Sequence, residues 1–341
     1  MKKTLLFLFV FLFFLSSCSD DDKDDEVQLD ENNRITNVPA RNQAFTDLVY
    51  FDNQFFLTFR DSDKHAYGED GTIKIMNSKD GKNWTLIKEI AIARIDLRDP
   101  KFSVNGENLM LYIHGSTFQG NIVLSFSDYR LKYSNNWNTI ENVTLDNRQT
   151  TTSKISGNEV WPWRVTWHKG IAYSVGYNGF DLFGIYKSKD GLFFNNAKNF
   201  NTISNLPTEA TIRVNKKDEL YILSRRNNGT TFFGKYDDLH NELKVLGEIP
   251  FTNFGGPNFL FLNEKQILFS GKHNGSVVLA VYDIDRNTTK ILTSFGLGDC
   301  SYPGMLIKDG YLWLSYYSAS SLANVFETSI YVAKIKIKES Y

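Results

Sequence analysis

The seven residues Ser-Lys-Asp-Gly-Lys-Asn-Trp at positions 78–84 decide the fold class, and a close copy, Ser-Lys-Asp-Gly-Leu-Phe-Phe, stands at 188–194. In both stretches the Asp carboxylate can accept backbone N–H groups of a tight turn. The aromatic residue that ends each stretch can then pack between neighbouring sheets. We therefore assign Asp80 and Asp190 to turn structure and not to catalysis.

Such turns punctuate a repeated unit. From about residue 35 the chain alternates apolar β-formers with Gly, Asn and Asp, a pattern typical of strands joined by tight turns. Spacings of 48, 62, 47 and 46 residues separate the aspartates expected at the ends of successive third strands, which are Asp80, Asp128, Asp190, Asp237 and Asp283. These spacings match one four-stranded propeller blade.

The repeat predicts an all-β chain, a six-bladed β-propeller that covers residues 34–341. Five first strands follow the one at residues 45–51, and they begin near Asp99, Trp163, Glu209, Gly256 and Tyr302. The last unit shows only three strands. Segment Arg34–Pro39 could supply its missing outer strand, so that an N-terminal strand closes the ring and removes exposed edges.

The first residues have the composition of an export signal. Lys2 and Lys3 precede an apolar run over 5–15, which is too short to span a bilayer. The run ends in Leu-Ser-Ser-Cys at 15–18, which resembles the lipobox of bacterial lipoproteins and implies lipidation of Cys18. Residues 1–18 are then a signal peptide, and the acidic residues 19–33 are expected to be a disordered tether. We expect an outer-membrane lipoprotein exposed at the cell surface, with membrane contact through the lipid anchor only.

Composition narrows the possible partners. The net charge of −1, from 38 Lys plus Arg against 39 Asp plus Glu, gives no field that would attract nucleic acid. If Cys18 is lipidated, only Cys300 remains, and the five His residues lack metal-binding spacing. We expect the protein to bind no metal, no cofactor and no nucleic acid. Its expected partner is a carbohydrate, and we expect it to be a monomer.

One end of the propeller collects most of the polar and aromatic candidates. In an up-and-down blade the start of the first strand, the end of the second and the start of the third share one end, here called the mouth. The mouth residues are Arg60, Asp61, Asp63, His65, Asp70, Arg98, Asp99, Glu159, Trp161, Trp163, Arg164, Glu209, Arg225, Arg226, Lys272, His273, Asp299, Tyr302, Tyr316 and Tyr317. Because Tyr316 and Tyr317 alternate along a strand, at least one of them should face the core.

Several of these stretches resemble the sialidase superfamily, whose propellers carry Asp-box (BNR) repeats like the two turns above. The matching stretches are Phe59-Arg60, Asp99-Pro100, Pro207-Thr208-Glu209 with Arg225 sixteen residues on, and Ser301-Tyr302. The resemblance implies that Tyr302 is a nucleophile and Glu209 its general base. It also implies an acid/base Asp in the loop after Arg60, where Asp63 and Asp70 both qualify.

The same resemblance implies a substrate-binding set, which comprises Arg60, Arg98, Asp99, Trp163, Arg164, Arg225, Lys272 and Tyr317. Lys272 stands where sialidases carry a third arginine, and Lys cannot make the bidentate contact of Arg with a carboxylate. Stretches 96–99 and 161–164 resemble a sialidase-like branch of Bacteroidetes lipoproteins more than true sialidases. Despite these departures, the resemblance and its residue set lead us to predict an exo-glycosidase that acts on a glycan with an acidic sugar.

Two alternatives stay open. Asp99 and Glu209 could act as an ordinary acid/base pair of carboxyl groups. The protein could also be a non-catalytic glycan-binding surface lipoprotein, because a propeller fold hosts many functions.

Overall fold

The computed structural model describes the backbone of residues 27–106, 108–119, 122–132, 140–142, 144–145, 160–179, 181–200 and 202–341. The predicted signal peptide 1–18 with Cys18, the first part of the predicted tether, and Glu159 lie outside these residues. In the described part of the chain all regular structure is β-strand, and no helix there could span a membrane.

The described strands number 25. Those of the N-terminal half are β1 Gln28–Arg34, β2 Asn42–Phe51, β3 Gln54–Ser62, β4 Thr72–Ser78, β5 Thr85–Ile90, β6 Asp96–Asn105, β7 Asn108–Gln119, β8 Ile122–Lys132, β9 Ile140–Asn142, β10 Thr144–Leu145, β11 Trp161–His168 and β12 Ile171–Tyr177. The remaining strands are β13 Phe183–Ser188, β14 Phe193–Asn199, β15 Pro207–Val214, β16 Leu220–Arg226, β17 Thr230–Asp237, β18 Glu242–Thr252, β19 Gly255–Phe261, β20 Gln266–His273, β21 Ser276–Asp283, β22 Thr288–Phe295, β23 Ser301–Lys308, β24 Tyr311–Ala319 and β25 Thr328–Lys336.

Strands that follow one another in the chain pair antiparallel in sets of four. The sets are β2 to β5, β6 to β9, β11 to β14 with β10 beside β14, β15 to β18, β19 to β22, and β23 to β25 with β1. A single parallel pair, Asn42 with Thr328, joins the first set to the last. The predicted four-stranded repeat is confirmed in these sets, while the six-bladed closed ring stays a prediction.

The outer strand of the last set begins earlier than the sequence predicted. β1 pairs with β25 from Gln28 opposite Lys336 to Arg34 opposite Tyr331. The prediction of Arg34–Pro39 as this strand was wrong in its bounds, and residues 28–33 of the predicted disordered tether are paired strand. β1 has no apolar alternation, and backbone pairing does not depend on one, so hydrophobic pattern could not reveal it.

The two aspartate turns have the predicted chemistry. Asp80 Oδ1 accepts the N–H groups of Lys82 and Asn83 at 2.9 and 2.8 Å. Asp190 Oδ1 accepts those of Leu192 and Phe193 at 2.8 and 2.9 Å. These bonds lower the pKa of Asp80 and, against the opposing effect of burial, that of Asp190.

The second of the five expected turn aspartates, Asp128, was placed wrongly. Asp128 lies within β8, in register with His114 of β7, and not after the strand. The spacing of 62 residues that follows Asp128 already departs from the other spacings in the repeat.

Every innermost strand is interrupted by a β-bulge at the same place. Two of its residues stand opposite one residue of the next strand, and these bulge pairs are Phe45-Thr46, Asp99-Pro100, Trp163-Arg164, Thr208-Glu209, Gly256-Pro257 and Tyr302-Pro303. Bulges re-aim side chains and tolerate Pro, which has no N–H to donate to the ladder. Each innermost strand therefore carries one such pair, and Asp99, Trp163, Glu209, Gly256 and Tyr302 all belong to one.

Candidate functional site

A buried carboxylate links three of the sets at the mouth. Glu209 is 6% exposed, and its Oε1 accepts the Tyr302 hydroxyl at 2.7 Å and Arg225 Nη1 at 3.1 Å. Its Oε2 accepts the Gly256 N–H at 2.6 Å. The structure thus brings together Glu209, Arg225 and Tyr302, which are 93 residues apart at most, as the topology predicted.

The bulges explain how these groups meet. Glu209 and Tyr302 are both bulge residues, and Arg225 is the single residue opposite the Thr208-Glu209 bulge. Tyr302 has a φ of 53°, in the left-handed region. Gly256 has a φ of 65°, and a Cβ there would lie 2.7 Å from Tyr302 Cα, so the close approach requires glycine.

The surroundings keep the tyrosine hydroxyl protonated. Burial raises the pKa of Tyr302 well above its ordinary value, and the charges of Glu209 and Asp99 raise it further. Arg225 opposes this effect. Burial lowers the pKa of Arg225 itself, but the charge and hydrogen bond of Glu209 together with Tyr302 and Tyr177 outweigh burial, and the net shift is upward. The site therefore holds a neutral phenol against a carboxylate paired with a guanidinium.

Asp99 supplies a second carboxyl group. It is 6% exposed, its φ is 44°, and its Oδ1 is buried without a hydrogen bond in the described part of the chain. Burial raises the pKa of Asp99; Lys101 and Arg98 oppose this shift, and Glu209 adds to it. Asp99 is thus close enough to Glu209 for their charges to interact.

Lys101 is a site residue that sequence reasoning missed. It is 2% exposed, and its Nζ lies 5.3 Å from the ring centroid of Trp163 and 5.6 Å from that of Tyr302. Burial lowers its pKa to about 8. The available signal was a lysine directly after Asp99-Pro100 in a strand that is otherwise expected to be buried.

Aromatic rings surround the tyrosine. The ring centroids of Trp163 and Tyr317 lie 5.6 and 6.2 Å from that of Tyr302. Tyr317 is 1% exposed and donates its hydroxyl to Asp299 Oδ1 at 3.0 Å. Tyr316 packs in the core and bonds Asn32 of β1, which confirms that the two neighbours face opposite ways.

Beside Tyr302 opens a cleft of about 450 Å³. Its lining comprises His65, Arg225, Thr252, Asn253, Gly255, Lys272, Asn274, Gly275, Asp299, Ser301, Tyr302 and Tyr317. Lys272 Nζ bonds the Gly298 carbonyl at 3.2 Å, and no carboxylate of the described residues pairs with it. Arg225 also bonds the Asn253 side chain.

Two predicted anchor residues are engaged elsewhere. Arg60 is fully buried, and its Nε and Nη2 bond Asp96 Oδ1 at 2.8 and 2.7 Å, so it does not line the cleft. Arg164 bonds both carboxylate oxygens of Asp47 at 2.9 Å. With Arg213 it lines a second cavity of about 330 Å³, which all six innermost strands surround.

Two other arginines are also held by protein groups. Arg98 Nη2 donates to the His65 carbonyl at 2.8 Å, and Arg226 pairs with Glu248 at 2.6 Å. Arg98 nevertheless lies close enough to Asp99 for its charge to oppose the rise in the pKa of that carboxyl group.

Neither predicted acid lines the cleft. Asp63 Oδ1 accepts the Glu69 N–H at 2.7 Å, and the pKa of Asp63 is lowered because such bonds outweigh burial. Asp70 is exposed. His65, from the same loop, does line the cleft. Within the residues that the structure describes, no group of three His, Cys, Asp or Glu is placed to hold a metal ion.

No family model matches the chain, and no curated protein matches it. Solved structures do match. A protein of unknown function from Dyadobacter fermentans is 14% identical with a TM-score of 0.74, over 92% of this chain and 99% of that one. The endosialidase of phage phi92 is 11% identical with a TM-score of 0.67, over 90% of this chain and 69% of its own.

Trypanosoma rangeli sialidase in complex with the inhibitor DANA is 13% identical with a TM-score of 0.62, over 88% of this chain. The match spans about half of that sialidase, 56% of its chain. Together these likenesses define the class of fold, a sialidase-like β-propeller. At such low identity they establish the fold alone.

Proposed function

We propose that this protein is a glycoside hydrolase that acts on a glycan carrying an acidic sugar. The observation that carries the proposal is the 2.7 Å hydrogen bond from the Tyr302 hydroxyl to Glu209 beside an open cleft. A nucleophile and a base within hydrogen-bond reach, with the base oriented by a third group, is the arrangement that covalent catalysis needs. Here Arg225 and the Gly256 N–H orient the base.

The chemistry follows from the protonation state. A phenol with a raised pKa is a poor nucleophile until a base takes its proton, and Glu209 Oε1 is placed to do so as the bond to the anomeric carbon forms. The bond between that carbon and the leaving oxygen breaks in the same step, and the leaving oxygen needs a proton from a second group. Sialidases are the recognised glycosidases with a tyrosine nucleophile.

The charges in the cleft support an acidic sugar. Its basic side chains besides His65 are Arg225 and Lys272, while Asp299 already accepts bonds from Tyr317, His65 and Asn42. Because Arg60 is held by Asp96, a clamp of three arginines is not formed, and the carboxylate would meet Lys272 and Arg225 instead. We further propose that the protein works as an exported lipoprotein anchored through Cys18 at the outer-membrane surface.

The test compares the wild type with Tyr302→Phe and Glu209→Gln on sialosides, uronides and neutral glycosides. We expect the wild type to hydrolyse an acidic glycoside, and each variant to lower kcat by about 10²–10⁴-fold while still binding the sugar. Tyr316→Phe is the matched control, because it removes the neighbouring hydroxyl on the opposite face and should keep wild-type kcat.

Two results would contradict the proposal. If the wild type binds acidic glycans but hydrolyses none, the non-catalytic glycan-binding protein becomes the better interpretation. If Tyr302→Phe hydrolyses as fast as the wild type, Tyr302 is not the nucleophile.

A further inference from the structure

The loop after β3 sends one titratable ring into the cleft, that of His65. Its Nδ1 lies 2.9 Å from Asp299 Oδ2. Asp299 is itself fixed, because Oδ1 accepts the Tyr317 hydroxyl at 3.0 Å and Oδ2 accepts Asn42 Nδ2 at 3.2 Å. A carboxylate that accepts from Nδ1 holds the imidazole in one orientation and leaves Nε2 as the nitrogen that can exchange a proton.

The rings of His65 and Tyr302 both contact the ring of Phe45, and both residues line the same cleft. Phe45 makes edge-to-face contacts with both, and each pair of ring centroids is 5.0 Å apart. The His65 and Tyr302 rings are therefore separated by no more than twice that distance. The two carboxyl groups of ordinary glycosidases are about 5 to 9.5 Å apart, a range that lies within this upper bound.

We propose that His65, positioned by Asp299, is the general acid and base of this site. The proposal rests on the hydrolysis proposed above. In the first step Tyr302 Oη bonds the anomeric carbon, its proton passes to Glu209, the glycosidic C–O bond breaks, and His65 Nε2–H protonates the leaving oxygen. In the second step His65 takes a proton from water as its oxygen attacks that carbon, the Tyr302 Oη–carbon bond breaks, and Glu209 returns the proton to Tyr302.

Exposure distinguishes His65 from the carboxyl groups. The His65 side chain is 40% exposed and lines the cleft, so a leaving group on its way to solvent can reach it. Asp99 is 6% exposed and does not line the cleft. Asp63 has an oxygen committed to the Glu69 N–H, and Asp70 lies outside the lining.

The charged neighbours of His65 come from several elements. Asp299 precedes β23, and Arg98 of β6 donates to the His65 carbonyl at 2.8 Å. The Arg98 guanidinium lies 5.0 Å from the Phe45 centroid and that of Arg60 5.9 Å. Arg225 and Lys272 share the cleft with His65. Asp299 is thus the one anion in direct contact with the ring among the described residues.

The experiment varies the leaving group. We expect His65→Ala to lower kcat by about 10²-fold or more on a glycoside with an alkyl leaving group, because such an alkoxide needs a proton. On the 2,4-dinitrophenyl glycoside of the same sugar, whose leaving group needs no proton, formation of the glycosyl-enzyme should be nearly as fast as in the wild type. Asp299→Asn should show the same split with a smaller loss.

His240→Ala is the matched control, because His240 pairs with Asp237 at 2.8 Å in a turn far from the mouth. This variant should hydrolyse both substrates as fast as the wild type. An equal loss on both substrates, or none on either, overturns the role of His65 while the proposed hydrolysis stands. A wild type that hydrolyses neither substrate overturns the proposed function and this inference together. Added azide should speed the second step of His65→Ala and yield the glycosyl azide, which a merely structural role would not produce.

Discussion

Lys101 is 2% exposed, and its ammonium nitrogen lies 3.4 Å from the Thr46 carbonyl oxygen. Burial disfavours the charged form, while the charges of Asp99 and Asp47 favour it and that of Arg164 opposes it. The rings of Trp163 and Tyr302 add cation–π attraction. The charge of Lys101 therefore depends on several neighbours at the centre of the propeller.

The lowered pKa of Lys101 should make the free energy of unfolding depend on pH. Burial lowers its folded-state pKa to about 8 from 10.5, so between these values the unfolded chain binds a proton that the folded chain has released. The free energy of unfolding then rises with pH across that window. Denaturant unfolding of the wild type relative to Lys101→Met should show a difference that grows by about 1 kcal/mol per pH unit from pH 8 to 10.

Taking the difference between the two proteins removes the contributions of buried tyrosines and of Cys300. Lys169→Met, at an exposed lysine, is the control and should follow the wild type. A difference that stays flat or falls as the pH rises would show that Lys101 keeps an ordinary pKa.

At the scale of single residues, the sequence predicted which side chains lie near the mouth. It could not predict which of them bond other protein groups and which line the cleft. Arg60 and Arg225 both lie near the ends of second strands. Arg60 is bonded to Asp96, however, while Arg225 lines the cleft. The loop after Arg60 offered Asp63 and Asp70, and the structure brings His65 instead. Such choices depend on rotamers and loop paths, which no periodicity encodes.

At the scale of elements the bulge is the recurring device. The residues predicted to begin first strands, Asp99, Trp163, Glu209, Gly256 and Tyr302, are all bulge residues, and the strands begin slightly earlier. Pro follows three of them, and because Pro cannot donate to the hydrogen-bond ladder, the sequence suggests that the strand begins only there. The sequence thus located the functional positions without revealing that a bulge creates them.

The aspartate turns allow a test of how the sheets pack together. Gly81 has a φ of 75°, and a Cβ there would lie 2.3 Å from the Trp313 ring of the last set. Gly170 has a φ of 78°, and a Cβ there would meet nothing within 4 Å. Both Gly→Ala variants incur the backbone strain, but only Gly81→Ala adds overpacking, which typically costs about 1–3 kcal/mol.

We therefore expect Gly81→Ala to be less stable than Gly170→Ala by about 1–3 kcal/mol in denaturant unfolding. Equal losses in the two variants would mean that Trp313 moves freely and that this turn does not fix the contact between the first and last sets.

At the scale of the whole molecule, the sequence repeat predicted the four-stranded sets and their order, because alternating β-formers and Asp turns recur through the chain. The repeat could not predict β1, because its residues Gln-Leu-Asp-Glu-Asn-Asn-Arg have the polar composition of a disordered tether. The contacts of β1 are with distant parts of the chain, such as Arg34 with Ser329 at 2.7 Å and Glu31 with Lys82 at 2.7 Å. Long-range pairing of a polar strand has no local signature.

The closed ring can be tested through this strand. A chain that begins at Ile35 lacks β1, so the outer edge of β25 loses its partner and Tyr316 loses the Asn32 oxygen. We expect a lower Tm, by about 2–4 °C for each kcal/mol lost, and a greater tendency to self-associate, because an unpaired edge recruits other strands. A chain that begins at Val27 keeps β1 and is the control. Equal Tm and equal monomer content in the two chains would show that β1 is dispensable, and the predicted closure through the N-terminal strand would be wrong.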